Sequence, residues 1–115
     1  MANTFYLKKG DTYPNIETIL SYSSGPVNLT GSSIVFRMSV ANSGNLMIEQ
    51  PATIVTPQTG ADVGKCYYEF QTGDTDIVGT YRVEWVVTFA NAKKATFPRG
   101  EGVTFNQVII QDNVD

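Results

Sequence analysis

Apolar and polar residues alternate along three stretches of the chain, as they do in β-strands that place one face on a core. The stretches are residues 33–40, 65–71 and 80–88. Their apolar positions are Ile34, Phe36, Met38 and Val40, then Cys66, Tyr68 and Phe70, then Tyr81, Val83, Trp85, Val87 and, one step beyond, Phe89. We predict that these three stretches are the central strands of the fold.

Weaker strand patterns lie on both sides of the central ones. They cover residues 4–8, 16–22, 46–50, 52–55, 95–97 and 104–111, with turn signals rich in Gly, Asn, Ser and Pro between them. No ten-residue amphipathic helix interrupts the series. About seven to nine short strands at this spacing predict an all-β fold, either an antiparallel β-sandwich or a small barrel. The 115 residues fit one domain, residues 1–115.

The charge balance narrows the possible partners. Eight basic and eleven acidic residues give a net charge of -3, and the basic residues are scattered, with only Lys8-Lys9 and Lys93-Lys94 adjacent. Nucleic-acid binders cluster Lys and Arg to neutralise phosphates, so we expect no nucleic-acid partner. No apolar run approaches the ~20 residues that span a bilayer, and residues 1–4 lead into no signal-peptide pattern. We therefore expect no membrane partner and synthesis in the cytoplasm.

Two residue counts remove much of the usual catalytic chemistry. The chain has no histidine, and therefore lacks the commonest general base and the Ser/His and Cys/His pairs of nucleophilic catalysis. Its single cysteine, Cys66, excludes an intrachain disulfide and a cysteine zinc cluster. Because Cys66 alternates with Tyr68 and Phe70, we predict a small buried side chain and no nucleophile.

The pair Asp74 and Asp76 is the feature that most resembles a site. A calcium loop of the EF-hand type needs an oxygen ligand at its fifth position and a glutamate at its twelfth. Counted from Asp74, those positions hold a valine and a tryptophan, so the pattern predicts no calcium site. The run 76–81 instead fits the corner of immunoglobulin-like sandwiches, in which a tyrosine hydroxyl, here that of Tyr81, bonds to upstream backbone. Each aspartate is predicted to cap N–H groups of this turn.

Three other features have explanations that involve no site. Trp85 alternates with core residues and is predicted to fill the core. Gly10-Asp11-Thr12 lacks the Gly-x4-Gly-Lys-Ser/Thr spacing and the following helix of a phosphate-binding loop, so we predict a turn after the first strand. Asn28-Leu29-Thr30 is a glycosylation sequon of the kind that occurs by chance. A two-carboxylate hydrolase would need acids that converge in a cleft, which the sequence does not indicate. We predict that the chain is not an enzyme and has no catalytic, cofactor-binding or metal-binding residues.

Surfaces and edges remain as candidate functional features. Val86 and Ile109 alternate with core-facing neighbours, so we expect them to point outward, where another strand or a partner subunit would cover them. The edge strands of an open sandwich can add a partner strand by main-chain pairing. An alternative hypothesis is a carbohydrate-binding module that stacks sugar rings on exposed Tyr13, Tyr22 or Tyr67.

A series of short motifs runs in order along nearly the whole chain. It comprises residues 5–12 with Lys9-Gly10-Asp11-Thr12, the run 25–31 leading into Val35-Phe36-Arg37-Met38, Gly64 with Tyr67-Tyr68, Gly73-Asp74-Thr75, Gly79-Thr80-Tyr81, Thr96-Phe97-Pro98 and Val108-Ile109-Ile110. In this order and spacing the motifs resemble the N-terminal immunoglobulin-like domain of phage baseplate upper proteins, which occur in tailed bacteriophages. Asn28 stands where we would expect an aspartate in that family.

The resemblance implies an immunoglobulin-like antiparallel β-sandwich that has no active site and docks onto neighbouring virion proteins. On this basis we expect a non-enzymatic structural protein of a bacteriophage virion, made in the host cytoplasm and located in the tail, the baseplate or a head–tail adaptor. We expect several symmetric copies and no cofactor. A capsid-decorating protein is the nearest alternative, and a carbohydrate-binding module for the host envelope is the alternative from another class.

Overall fold

Two β-sheets pack face to face, and most of their strands follow the alternation in the sequence. The computed structural model describes residues 4–97 and 105–113. Within these residues the strands are β1 (Thr4–Lys8), β2 (Ile16–Ile19), β3 (Ser21–Tyr22), β4 (Gly25–Pro26), β5 (Ser33–Val40), β6 (Leu46–Pro51), β7 (Thr53–Ile54), β8 (Lys65–Tyr68), β9 (Gly79–Thr88), β10 (Lys94–Phe97) and β11 (Gln107–Gln111). A short 3-10 turn, Gly60–Asp62, precedes β8.

The large sheet has the strand order β1-β11-β9-β5-β6, and β10 also pairs with β9. Neighbours in this sheet are antiparallel except β1 and β11, which run parallel. The small sheet has the order β2-β8-β7, and β3 and β4 form a separate two-stranded sheet. Strands β2, β8 and β7 take the places of B, E and D of an immunoglobulin-like sandwich, and β5, β9 and β11 take those of C, F and G. Strand β6 extends the second group, as in variable-type domains.

The apolar faces of the three central strands fill the space between the sheets. Phe36 of β5 stacks on Tyr68 of β8 with ring centroids 4.6 Å apart, and so joins the two sheets. Trp85 of β9 meets the Phe36 ring edge-on at 4.8 Å. Both ring geometries are favourable ones for buried aromatic pairs. Phe36, Trp85 and Cys66 are fully buried, which confirms the predicted core of the central strands.

The bounds of the central strands differ slightly from the predicted ones. Strand β5 covers the predicted residues 33–40, and β9 begins one residue earlier than predicted. Strand β8 ends at Tyr68, because the backbone at Gln71 already belongs to a turn that Asp74 caps. Phe70 is buried nevertheless, so the apolar pattern extends beyond the strand that it predicted.

The predicted strand 16–22 is interrupted at Leu20. The Leu20 N–H donates to the Gly64 carbonyl at 2.8 Å, and the Leu20 carbonyl accepts the Val27 N–H at 2.9 Å. Gly64 has a φ of +83°, and a Cβ at this position would lie 2.5 Å from the Leu20 oxygen, so the close approach requires glycine. The chain therefore leaves the small sheet at Leu20 and enters the β3-β4 pair.

The fold is the predicted all-β, immunoglobulin-like sandwich and not a small barrel, because the large and small sheets are separate. Eleven strands lie in the described residues; eight have four or more residues, within the predicted range, and β3, β4 and β7 have two. Strand β4 and the 3-10 turn were not predicted. The predicted strand 104–111 corresponds to β11, while residue 104 and Pro98 lie outside the described residues.

Candidate functional site

A tyrosine hydroxyl builds the corner that leads into β9. Tyr81 is 2% exposed, and its hydroxyl donates to the Ile77 carbonyl oxygen at 2.6 Å. Burial raises the pKa of this hydroxyl, so it keeps its proton and remains a donor at neutral pH. The predicted tyrosine corner is confirmed, and it fixes the path by which the chain enters the large sheet.

Of the two neighbouring aspartates, only Asp74 caps the turn. Its Oδ2 accepts the Gln71 N–H at 2.8 Å and the Tyr68 hydroxyl at 2.5 Å. Its own N–H donates to the Gln71 carbonyl at 3.0 Å. The Asp76 side chain is exposed and forms no hydrogen bond with a described residue. The prediction of a cap was therefore right for Asp74 and wrong for Asp76, whose carboxylate faces solvent.

A buried threonine ties this turn to the loop after β1. Thr75 is 1% exposed, and its hydroxyl donates to the Asp11 carbonyl at 2.7 Å. The Thr75 carbonyl in turn accepts the Gly10 N–H at 3.0 Å. The two Gly-Asp-Thr tripeptides of the chain, residues 10–12 and 73–75, thus form one corner. Neither tripeptide contains a local signal of this contact, so the sequence predicted two separate turns.

The described residues show no constellation for metal chemistry. Among residues 4–97 and 105–113, no three acidic or cysteine side chains lie close enough together to hold a metal ion. Oδ2 of Asp74 accepts two hydrogen bonds, from Tyr68 and Gln71, and so serves the turn.

In the same part of the chain, no helix has the length and apolar character needed to cross a bilayer.

Cys66 lies on the core face of β8 and is fully buried. Burial, with a smaller contribution from the negative charge of Glu17, raises the pKa of its thiol to about 12. Because the thiolate is the reactive form of cysteine, this thiol is a poor nucleophile at neutral pH. Its predicted burial is confirmed.

The three tyrosines considered for sugar stacking differ in their exposure. Tyr13 is 80% exposed and precedes β2. Tyr22 of β3 is 40% exposed, and its ring lies against the buried Phe97 ring with centroids 5.4 Å apart. Tyr67 is half-buried on β8, opposite Glu17 of β2. The carbohydrate-binding hypothesis stays a prediction.

The two outer strands of the large sheet are each protected at one end against strand addition. Tyr6 and Lys8 of β1 direct their N–H and C=O groups toward the free edge, because the next residue, Lys9, bonds to β11. Asp11 occupies both groups of Lys8: its Oδ2 accepts the N–H at 3.1 Å, and its own N–H donates to the carbonyl at 3.0 Å. On the opposite edge, β6 ends in Pro51, which has no N–H. Such features hinder strand pairing at Lys8 and Pro51, whereas the Tyr6 groups still face the free edge.

The outer face of the large sheet carries a shallow depression of about 250 Å³. Its lining residues are Val35, Arg37, Glu49, Gln50, Pro51 and Val86. Val35 and Val86 lie directly opposite each other on β5 and β9 and are half-buried. Arg37 Nε lies 3.2 Å from Glu49 Oε2, in an ion pair that is not aligned as a hydrogen bond. The predicted outward direction of Val86 is confirmed, and Ile109 of β11 is likewise half-buried on this face.

A buried glutamine that the sequence analysis did not single out holds two loops together. Gln58 is 7% exposed. Its Oε1 accepts the N–H groups of Leu29 at 3.0 Å and Gly64 at 2.9 Å. Its Nε2 donates to the carbonyls of Val55 at 2.7 Å and Asp62 at 2.9 Å. The side chain is thus fully used by backbone groups and serves the fold.

Comparison of the chain with protein-family models, with curated protein sequences and with solved structures finds no match in any of the three. The resemblance to phage baseplate upper proteins accordingly stays a prediction.

Proposed function

We propose that the chain is a non-enzymatic structural protein of a bacteriophage virion, an immunoglobulin-like module that assembles with tail, baseplate or head–tail adaptor subunits. The observation that carries the proposal is the corner in which separate motifs of the resemblance meet. Thr75 bonds to Gly10 and Asp11, and Tyr81 closes the same loop through Ile77. Motifs that the sequence links only by their order thus contact one another in the fold. The fold is of the class that the resemblance implies.

The non-enzymatic part of the proposal is supported by the use of the reactive side chains within the fold. Asp74 is engaged by Tyr68 and Gln71, and Cys66 is buried with a raised pKa. Burial and the hydrogen bond to Asp74 also raise the pKa of Tyr68. These groups stabilise turns and the core, which leaves binding as the activity that the described surface can provide.

The assembly part is supported by apolar side chains that the fold leaves on its surface. Tyr6, Ile77 and Val78 are 58%, 58% and 47% exposed, and the outer face of the large sheet adds its apolar depression. Contiguous exposed apolar patches mark protein interaction sites, and Ile77 and Val78 are adjacent in the chain. Virion proteins occupy symmetric positions, so a small module with several contact surfaces suits repeated incorporation.

Deletion of the gene from the phage or prophage that encodes the chain tests the proposal. Electron microscopy of the particles should show tails that lack baseplate or adaptor density, and the wild-type chain supplied in trans should restore it. A defect confined to heads would instead support the capsid-decorating alternative. Particles of normal structure and full infectivity would contradict both.

A further inference from the structure

The outer face of the large sheet presents a pattern that is complementary to itself. Val35 and Arg37 on β5 lie directly opposite Val86 and Glu84 on β9. We call these four residues the outer patch. Arg37 has one ion-pair partner, Glu49, whereas Glu84 is exposed and has no ion-pair partner among the described residues. An apolar pair therefore lies beside a pair of opposite charges on neighbouring strands.

We propose that the outer patch is the interface with a second copy of this chain. A two-fold axis parallel to the strands, midway between β5 and β9, exchanges the two strands between the copies. It places Arg37 of each copy against Glu84 of the other, and Val35 of each copy against Val86 of the other. The same operation sets Ser39 opposite Arg82, since those residues are also paired in register. Arg37 of each copy then lies between two carboxylates, Glu49 of its own chain and Glu84 of the other.

The second copy is the occupant that this charge pattern fits best. An isologous interface requires one surface to complement itself, and the Arg37 and Glu84 pair does so across the axis. Sheets that pack face to face with aligned strands interdigitate their side chains, and the half-buried valines provide the apolar contact between them. The depression lined by Val35 and Val86 would then be filled by the partner's side chains.

This inference rests on the proposed assembly function, for which it names one partner, but its test is independent of virions. Sedimentation equilibrium of the isolated full chain measures the dissociation constant of the dimer. Arg37→Glu and Glu84→Arg each place like charges across the axis and should raise that constant at least about tenfold, because juxtaposed like charges are strongly unfavourable. An equimolar mixture of the two variants should restore dimers, since each mixed pair regains both opposite-charge contacts.

Glu17→Arg on the small sheet is the matched control, because it makes the same charge change at an exposed strand position away from the outer patch. It should leave the dissociation constant unchanged. Thermal melts of every variant check the fold, and recovery in the mixture cannot come from unfolded chains.

A chain that stays monomeric at about 1 mM would overturn the proposal, since any dissociation constant would then be weaker than that of a specific contact. A dimer that neither charge variant weakens, or that the mixture fails to restore, would overturn it as well. None of these results would contradict the virion proposal. Normal particles after deletion of the gene would contradict the virion role and would say nothing against the dimer.

Discussion

Gln58 shows at the scale of one residue how a polar side chain can stabilise the interior of this sandwich. Its amide accepts from two backbone N–H groups and donates to backbone carbonyls, all within loops that β-sheet pairing does not satisfy. Buried backbone groups that lose such partners cost more free energy than the net value of a hydrogen bond. The Gln58 side chain therefore connects the loop that contains Leu29 with the loop of residues 55–64.

We expect Gln58→Leu to lower the free energy of unfolding by about 2–4 kcal/mol, because the N–H groups of Leu29 and Gly64 would be left without an acceptor. Urea denaturation measures the change. Gln71→Leu, at an exposed glutamine, is the control and should stay within about 0.5 kcal/mol of the wild type. Equal effects of the two substitutions would show that the Gln58 network contributes nothing.

The two aspartates before β9 should differ in their effect on stability. Asp74→Asn weakens the acceptor for the Gln71 N–H and the Tyr68 hydroxyl, so we expect a loss of about 0.5–2 kcal/mol, the range of lost helix caps. Asp76→Asn makes the same chemical change on an exposed side chain and should alter stability by less than about 0.5 kcal/mol. Thermal melts compare the two, and a larger loss for Asp76 would contradict the turn described here.

The buried thiol of Cys66 and the hydroxyls of Tyr68 and Tyr81 should make the stability of the protein decrease at alkaline pH. The pKa of Cys66 is raised from 9.0 in its ordinary state to about 12 in the fold, so the unfolded chain loses this proton first as the pH rises. The contribution to stability is complete below pH 9.0 and is lost toward pH 12, with a slope of about 1.4 kcal/mol per pH unit for each proton. Tyr68 and Tyr81 shift in the same direction.

Urea denaturation as a function of pH measures this loss. Cys66→Ala should reduce the slope of unfolding free energy against pH above pH 9.0.

In the native protein at pH 8, thiol reagents should label Cys66 only after denaturation. Rapid labelling of the folded chain would contradict the buried position of the thiol.

The sequence predicted the burial of some side chains correctly but did not predict the partners or the exposure of others. Trp85 and Cys66 were assigned to the core correctly, because strand alternation is local and their neighbours share it. Gln58 and Thr75 were not recognised, since their partners, such as Leu29 and Asp11, lie far away in the chain. The exposure of Asp76 was not predicted either, because the path of the whole corner, and not the adjacent residues, sets the direction of its side chain.

At the scale of elements, the end of β1 is protected by a side chain. Asp11 occupies the N–H and C=O groups of Lys8, which otherwise face the free edge of the large sheet. We expect Asp11→Ala to increase the hydrogen-exchange rate of the Lys8 amide about tenfold, the change for a lost cap of about 1.4 kcal/mol. Nuclear magnetic resonance resolves this amide.

Asp112→Ala is the matched control for that substitution, because among the described residues the Asp112 side chain bonds to the Asn113 N–H alone, and the substitution keeps the Asp112 carbonyl that accepts from Lys8 Nζ at 3.4 Å. The Lys8 amide should exchange at the wild-type rate in this variant. An unchanged rate in Asp11→Ala would contradict the role of Asp11 as the edge cap.

The long strands were predicted more accurately than their arrangement. β5 and β9 have eight and ten residues with a clear alternation, and such strands are recognisable without knowledge of their partners. β4 and β7 have two residues each and exist through pairing with β3 and β8. The parallel pairing of β1 with β11 joins the two ends of the chain, which no local pattern encodes.

At the scale of the whole molecule, the large sheet is protected at Lys8 and Pro51 of its outer strands and carries Arg37 and Glu84 side by side on its outer face. We propose that copies of the chain associate through this face. We propose a non-enzymatic module whose buried polar groups stabilise the fold and whose surface serves assembly. The virion role depends on a resemblance of motifs, and a measurement on virions therefore has the most weight.

Quantitative mass spectrometry of gradient-purified virions measures whether the chain is a virion component. We expect peptides of the chain at a constant ratio to the major tail proteins through successive purification steps, and their enrichment when tails are separated from heads. Peptides that decline with each step together with host cytoplasmic proteins, or that are missing from pure particles, would contradict the virion role.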